Sequence, residues 1–468
     1  MNRTTKSLLV VGAVIVLSYP GITWVTGIII ESRLQHAEQQ VLAQVPYLTV
    51  VNREYHRGVY RSTETVTFGF ENPALRLVKV ASSSPIPPRF TITVESTIEH
   101  GPFPGLRTVA LATDDTTVIA PPALQQVLSG ALGSKPMLRI SSKEGFLGGG
   151  SAELRSPEFN LRFADGTTLA WGGLTGTITS NWNGTRWSGQ LTAPRLAVQG
   201  ATGRMELTGL EYSGSQEKAF EDLYLGTGTF TIEQVKGSSA RSGDYSLERI
   251  SLTSTSKTDG EFFDLRVDAA MDAAKLAAVQ LENLTYSESI EHVHGPSFAS
   301  MMRAMRLAQR QAGANKGQFH ADMQDALRRY GVEVLLHDPV LDIRQVSFTM
   351  PEGSFFFSAR LSAPGLSRSD LQWPAAIVAL QRHAEVTADL RIDNGLLQKL
   401  LAMGGSNPRI AAQLTSFEQQ GYLAAGPSSV TTHLEFSGGK LTLNGHPFPP
   451  APLSSRRLAP AAGAPPID

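Results

Sequence analysis

Residues 7–30 read SLLVVGAVIVLSYPGITWVTGIII, and this uncharged stretch decides how the rest of the chain is organised. Lys6 precedes it and Glu31 follows it. A helix needs about 20 apolar residues to cross a bilayer, so the stretch is long enough to span one. Because basic residues before a span favour the cytoplasmic side, Lys6 and Arg3 predict that residues 1–6 stay in the cytoplasm while the remainder crosses.

A cleaved signal peptide is the alternative interpretation of the same stretch. Its apolar region would be about 7–15 residues long and would end at small residues in an A-x-A-like site. Here the apolar run continues through Ile28–Ile30, and no A-x-A sequence follows. Pro20 is tolerated in a spanning helix. We therefore expect an uncleaved anchor. No other segment is as long without charges, so we expect a single crossing.

The composition argues against several classes of function. The formal net charge is −1, so no strong electrostatic field attracts nucleic acid or anionic lipid, and we expect no nucleic-acid partner. The 468 residues contain no cysteine, which removes disulfides, thiolate nucleophiles and thiolate metal ligands. This absence is compatible with a bacterial periplasm but does not identify the compartment.

Alternating apolar and polar residues predict strands over much of the chain beyond the anchor. Residues 31–45 continue as a polar helical stalk, and regularly spaced strands separated by turn residues fill 46–290. A second part, 291–448, combines strands with helices, the longest of them over 296–330. The tail 449–468 is rich in Pro and Ala, and we expect it to be disordered.

The fold class that follows is mainly β with accessory helices (α+β). We expect an elongated, twisted antiparallel β meander attached to one N-terminal transmembrane helix. If the meander curves into a groove with an apolar concave face, that groove would hold acyl chains. If the helices of 296–330 fill the concave face, it would not. The sequence leaves both arrangements open.

An internal repeat is a further expectation. His100-Gly101-Pro102 recurs as His294-Gly295-Pro296, and the segments that follow each copy keep the same order. The agreement favours a duplicated unit of strand, His-Gly-Pro, helix and strand pair. In this interpretation, 98–157 is repeated within 291–448. The alternative is chance recurrence, because Gly-Pro turns are common.

Three patterns invite a catalytic or metal-binding interpretation. Glu291, His292 and His294 are ligand types for zinc or iron, but only the two histidines would share a strand face. No G-x-S-x-G motif of a serine hydrolase occurs in the sequence. The run Gly148–Gly150 lacks the Lys-Ser/Thr of a phosphate loop and predicts a hairpin turn. We therefore expect no catalytic residue, no metal site and no cofactor.

Three short motifs together resemble the YdgA-like family of bacterial envelope proteins. They are YHRGVYRS at 55–62, IEHGPF at 98–103 and GKLTLNG at 439–445. Their family-motif positions are Tyr55, Arg57, Gly58, Ser62, His100, Gly101, Pro102, Phe103, Asn444 and Gly445. Val59-Tyr60 departs from the Trp-Phe pair expected there but keeps one aromatic residue. The resemblance implies an inner-membrane protein with most of its chain in the periplasm. It assigns no catalytic residue, because the family's function is unassigned.

Three functional hypotheses follow. The favoured one is a non-catalytic, membrane-anchored periplasmic envelope protein that binds or shields a lipid or other amphiphile, because one-sided apolar strands accompany a membrane tether. The alternative is a scaffold or assembly partner for other envelope proteins, including self-association through the 31–45 stalk, which requires an exposed apolar patch. A hydrolase is a distant third and needs Ser, His and a carboxylate within hydrogen-bond reach.

Overall fold

The computed structural model describes residues 3–45, 47–71, 89–120, 122–181, 183–221, 223–240, 243–277, 279–312, 316–372, 375–403 and 408–448. The predicted tail, 449–468, lies outside these residues, as do the side chains of 7–18 in the predicted anchor. Among the helices of the described part, none is long and apolar enough to cross a membrane. The chain forms two compact units, Met1–His337 and Asp338–Asp468.

Helices are a minority of the described chain. They are α1 (Arg3–Gln44), α2 (Pro122–Leu132), α3 (Gly295–Ala312), α4 (Lys316–Ala326), α5 (Val332–Leu335), α6 (Ala375–His383), α7 (Asn394–Met403) and α8 (Pro408–Gln419). A 3-10 turn lies at Pro104–Leu106, and a π-helical turn lies at Leu327–Gly331.

Strands dominate the first unit and become long in its second half. They are β1 (Leu48–Arg57), β2 (Arg61–Glu71), β3 (Arg89–His100), β4 (Ala112–Ile119), β5 (Leu138–Glu144), β6 (Gly150–Ser156), β7 (Phe159–Arg162), β8 (Thr168–Trp171), β9 (Leu174–Ser180), β10 (Arg186–Gly200), β11 (Gly203–Phe220), β12 (Leu223–Ser239), β13 (Gly243–Asp259), β14 (Phe262–Leu276) and β15 (Val279–His294). Those of the second unit are β16 (Val340–Met350), β17 (Gly353–Ser362), β18 (Glu385–Asp393), β19 (Ala424–Ala425), β20 (Ser429–Ser437), β21 (Lys440–Leu443) and β22 (His446–Pro447).

Both units are antiparallel sheets, which confirms the mainly β, antiparallel prediction. In the first unit the order is β1-β2-β3-β4-β5-β6-β9-β10-β11-β12-β13-β14-β15, and the β7–β8 hairpin joins the far half of β10 through β8. In the second unit β16-β17-β18-β20 are paired in that order, with β19 and β21 on the other edge of β20 and β22 on β21.

The two segments proposed as a repeat differ in their elements. After His100-Gly101-Pro102 come a 3-10 turn and strand β4 before helix α2, whereas α3 begins directly at Gly295. Each copy later reaches a hairpin, β5–β6 in the first and β16–β17 in the second. The duplication therefore stays a prediction.

A crease crosses the six long strands β10–β15 at the same level. Ala193 pairs with Leu210 and Arg195 pairs with Thr208, so one residue on each strand is left between the pairs. The crease residues, which continue this gap from strand to strand, are Pro194, Gly209, Glu233, Arg249, Asp272 and Asn283; between β13 and β14 the gap also includes Ile250 and Met271. Pro lacks a ladder donor, and a residue with positive φ changes the direction of a strand, as Gly209 does here at 64°. Consequently, the alternation of side chains between the two sides of the sheet changes phase by one residue at the crease.

This shift keeps apolar side chains on one side of β10–β15, which we call the apolar face. Its four rows, read across the strands, are Leu191-Tyr212-Phe230-Leu252-Ala269-Tyr286, Ala193-Leu210-Ile232-Ile250-Met271-Leu284, Leu196-Leu207-Val235-Leu247-Ala274-Leu281 and Val198-Met205-Gly237-Tyr245-Leu276-Val279. Ala193 and Ala274 are buried, but Leu252 and Leu276 are 43% and 46% exposed. Helix α3 packs at the end of these strands, where Phe298 contacts Phe263.

Candidate functional site

Helix α1 lies against the side of the sheet that carries the apolar face. The row that contains Leu191 continues through β9, β6, β5, β4, β3 and β2 to Tyr55 on β1. Tyr55 packs on a core cluster that includes Ile30 of α1. Leu34, within the part of the helix that was predicted as a polar stalk, packs on the same cluster, so this part contacts the sheet instead of standing free.

The docked side of α1 is narrow and made mostly of small residues. Thr23, Thr26, Gly27 and Ile30 are buried, and their spacing of three and four residues places them on one side of a helix. The other side stays exposed, with Trp24 at 49%. The last residues of the apolar stretch therefore pack on the sheet.

His100 lies directly beneath Gly27 and is only 2% exposed. A Cβ atom added to Gly27 would lie 2.5 Å from Cε1 of His100, closer than real contacts allow. Only glycine therefore lets the helix approach the imidazole ring this closely.

Buried hydrogen bonds fix the orientation of His100. Its Nδ1 lies 3.1 Å from the carbonyl oxygen of Val59, which only accepts, so Nδ1 carries the proton. Its Nε2 lies 2.9 Å from Oγ of Ser62 and accepts from that hydroxyl. Burial lowers the pKa of His100, opposed by the Val59 and Thr23 carbonyls. The ring is therefore neutral near pH 7.

Ser62 and His100 form two-thirds of a hydrolase triad, but their surroundings differ from a catalytic site. The group that orients His100 is a backbone carbonyl, where a triad has a carboxylate. Ser62 is 0% exposed beneath α1, so its hydroxyl does not face a substrate-sized opening. This geometry favours a positioning role for both side chains.

Arg57 and Gly58 lie on the β1 side of the contact between α1 and the sheet. The Arg57 guanidinium lies 5.8 Å from the ring centroid of Trp24 and 3.5 Å from the Glu31 carboxylate. Gly58 donates its N–H to the carbonyl of Arg61 at 2.9 Å, and a Cβ atom would lie 2.5 Å from that oxygen. Gly58 is thus required by the tight turn between β1 and β2.

Ion pairs continue this contact along α1. Glu38 lies 3.6 Å from Arg53, which also pairs with Glu64 at 2.5 Å. On the β5 side, Arg33 pairs with Glu144. Each such pair contributes little stability by itself.

Gly101, Pro102 and Phe103 hold the loop after β3 against the helix. The Thr26 hydroxyl lies 3.3 Å from the Gly101 carbonyl, and Tyr19 donates to the Phe103 carbonyl at 3.1 Å. A Cβ atom on Gly101 would overlap the carbonyl oxygens of Ala110 and Leu111. Pro102 accepts from the Ala110 N–H at 3.2 Å. All eight motif positions of the first unit therefore lie around one helix.

The remaining motif positions, Asn444 and Gly445, belong to the second unit and form a hairpin turn between β21 and β22. Their φ angles of 50° and 80° fit the Asn-Gly turn that the sequence indicates. The Asn444 side chain accepts from the His433 N–H at 2.8 Å and donates to the Tyr422 carbonyl at 3.0 Å. These contacts indicate a structural role.

The histidines near the end of β15 are also held by local contacts. His292 stacks on Phe262 with centroids 4.1 Å apart, and His294 stacks on His337 at 3.8 Å. Glu291 accepts a hydrogen bond from the Ser289 hydroxyl at 3.0 Å. Within the described residues, no three His, Asp or Glu side chains converge as a metal site would require.

Asp114 of β4 makes the stability of the folded protein depend on pH. Burial, more than Asp115 or Glu64, raises its pKa to about 6, so the folded state retains a proton between about pH 4 and 6 that the unfolded state has released. The contribution of Asp114 to the free energy of unfolding is therefore complete below about pH 4 and is lost as the pH rises through 6.

We expect Asp114→Asn to abolish this pH-dependent loss, which amounts to at most about 3 kcal/mol. Urea unfolding of both proteins at about pH 4.5 and 7.5 tests this, and equal pH dependence would contradict it.

Two groups of residues were not predicted from the sequence. Gly27 and Thr23 gave no signal, because small residues inside an apolar run look like any membrane helix. The apolar face did have a signal. On each of β10–β15 its residues follow spacings of two, three and two, as in Phe230, Ile232, Val235 and Gly237. A three-residue step inside an alternating strand indicates a bulge.

Comparisons with known proteins agree with the motif resemblance. A family model described as "Bacterial protein of unknown function (DUF945)" matches residues 1–451. Protein YdgA of Escherichia coli (strain K12) is 22% identical over 485 aligned residues, covering 94% of this chain and 94% of that protein. No solved structure matches. Because the family model matches nearly the whole sequence, the chain belongs to this family of bacterial proteins of unknown function.

Proposed function

We propose that this chain is a non-catalytic bacterial envelope protein that binds an amphiphile through its acyl chain on the apolar face. The apolar stretch 7–30 anchors it in the inner membrane, with its last residues packed on the sheet, and most of the chain lies in the periplasm. The observation that carries the proposal is the incomplete burial of large apolar side chains on that face, such as Leu252 at 43%.

The dimensions of the apolar face suit an acyl chain. Each row crosses six strands, and strands lie about 4.8 Å apart, so a row measures about 24 Å. The hydrocarbon core of a bilayer is about 30 Å thick, so an acyl chain of one leaflet extends over about 15 Å. A row is therefore longer than the chain it would hold.

The two sides of the sheet differ in polarity. The rows on the opposite side carry polar residues such as Thr229, which pairs with Ser213 and Thr253. Large exposed apolar areas on soluble parts of proteins usually mark binding surfaces, because their burial contributes about 25 cal/mol per Å². A lipid chain on one side would gain this energy while the other side stays hydrated.

The docked helix supports a lipid as the occupant. Helix α1 packs on the same side of the sheet as the apolar face, at β1 and β3. If residues 7–30 enter the inner membrane, this contact places that side of the sheet next to the bilayer from which an amphiphile would come.

A scaffold or assembly role is the alternative function. Leu307 and Leu327 are 47% and 46% exposed on the helical segment after β15, and Tyr330 is 39% exposed. Apolar side chains on a surface helix are typical of contact sites for other proteins. Under this alternative the apolar face would be covered by protein.

Phe230→Glu tests the favoured function. A carboxylate on the apolar face would be buried unpaired by an acyl chain, so we expect bound lipid to fall more than about tenfold. The full-length protein is purified in mild detergent, and native mass spectrometry measures the lipid that remains bound. Thr229→Glu, on the opposite side of the same strand, is the matched control and should keep its lipid. Equal lipid content in both folded variants and the unchanged protein would contradict the proposal.

A further inference from the structure

Three loops project from the same end of the sheet, since they join consecutive antiparallel strands. They connect β1 to β2, β3 to β4 and β5 to β6. Their tips carry the most exposed leucines of the described chain, Leu106 at 83% and Leu147 at 92%. We call the following exposed residues the loop tips: Val59, Tyr60, Phe103, Leu106, Val109, Phe146 and Leu147.

Hydrogen bonds hold these leucines outward. Leu106 donates its N–H to the carbonyl of Phe103 at 2.9 Å within the 3-10 turn. In the β5–β6 hairpin, Gly148 donates to Gly145 at 3.0 Å, and the positive φ angles of Gly148 and Gly149, both 78°, turn the chain after Leu147. Exposed apolar residues that cluster on neighbouring turns mark an interaction site more often than single exposed residues do.

The loop tips lie at the level where α1 would leave the bilayer. Tyr19 stacks on Tyr60 and Phe103, with centroids 6.0 and 6.5 Å away. A helix rises 1.5 Å per residue, so a span that starts at Ser7 reaches about 27 Å at Trp24, close to the thickness of the hydrocarbon core. Tyr19 lies before that point, so groups that touch it are within the outer part of the membrane.

The charges beside the loop tips complement phospholipid headgroups. Arg107 is exposed next to Leu106, and Lys143 reaches Thr108 in the same loop at 2.8 Å. The acidic side chains nearby, Glu99 and Glu144, each pair with an arginine. Aromatic residues such as Tyr60 are enriched at membrane–water interfaces, and basic side chains attract anionic headgroups.

We infer that the loop tips insert into the periplasmic leaflet, so that the sheet rests on the bilayer instead of extending from it on a stalk. The occupant of this surface is a phospholipid membrane. The inference rests on the proposed anchor, since it uses the level that α1 reaches. If the loop tips are inserted, the end of the sheet that carries them is in contact with lipid. That contact is open on the side of the sheet that has the apolar face.

The absence of cysteine permits a direct test in the full-length protein. Single cysteines replace Leu106, Leu147 or Thr202 and receive a nitroxide spin label. Thr202 is the matched control, because it lies in the exposed turn between β10 and β11 at the opposite end of the sheet. Each labelled protein is reconstituted into vesicles that contain anionic phospholipid.

Accessibility of the labels to oxygen and to a water-soluble nickel chelate then reports their depth. We expect the labels at 106 and 147 to favour oxygen, and the label at 202 to favour the chelate. Equal chelate accessibility at all three sites in protein that floats with the vesicles would overturn the insertion alone. Protein that fails to float with the vesicles would overturn the anchor as well.

Discussion

Replacing His100 by alanine is expected to lower the free energy of unfolding by about 3 kcal/mol or more. The change removes a ring that is 2% exposed and leaves a cavity between α1 and β3. It also leaves the Ser62 hydroxyl and the Val59 carbonyl without their partner inside the protein. Denaturant unfolding of the full-length protein in detergent measures this loss.

His56→Ala is the matched control for this change. His56 is exposed on β1, two residues before Gly58, so its removal should change stability by less than about 0.5 kcal/mol. If His100→Ala were as mild as His56→Ala, the docking of α1 through His100 would be wrong.

Replacing Gly27 by leucine is expected to loosen the contact between α1 and the sheet. The new side chain would have to occupy the place of the His100 ring, since even a Cβ atom lies 2.5 Å from Cε1. Overpacking of this kind costs about 1–3 kcal/mol. Hydrogen exchange of the amides in 31–44 and thermal unfolding should both show the effect.

Gly21→Leu provides the control within the same helix. Nothing lies within 4 Å of a Cβ atom at Gly21, so the substitution should leave exchange in 31–44 unchanged. Combining Gly27→Leu with His100→Ala should cost less than the sum of the two single changes, because the leucine enters the space of the ring. Simple additivity would show that the two residues do not touch.

The strands and turns of the fold were largely predictable from local pattern. Apolar and polar residues alternate in the sequence around Val66, Phe230 and Val386, and each of these residues lies in a strand of the structure. The Asn444-Gly445 hairpin and the Gly148-Gly149 turn were also predicted, because only a few residue types, Gly and Asn among them, readily adopt positive φ in turns. Such features depend on neighbours in sequence, so sequence alone reveals them.

The docking of α1 was not predictable in the same way. The polar pattern of 31–45 fits a free stalk and a docked helix equally well, because ion pairs such as Glu38–Arg53 bury little apolar area. The decisive contact is between Gly27 and His100, which are far apart in the sequence. Neither residue type by itself predicts which residue it contacts. The motif at 98–103 was recognised as a resemblance, but its role required the three-dimensional contact.

The apolar face was predictable from the sequence only in part. Alternation predicts its strands, but only the step of three residues at the crease places both halves of a strand on one side. Asn283 and Gly209 are residues that tolerate positive φ, so their positions were compatible with a bulge. A comparison of the six strands by spacing would have found the common level of the crease.

Photo-crosslinking in intact membranes tests the central claim, that the apolar face holds a lipid, most directly. A benzophenone amino acid replaces Ile232 on the apolar face, or Thr231 on the opposite side of the same strand. Its pairing partners, Leu210 and Ile250, continue the apolar row at Ile232. Irradiation should add the mass of a lipid to the protein labelled at 232 and not at 231. Equal labelling at both sites, or a crosslink at 232 to protein only, would contradict the account.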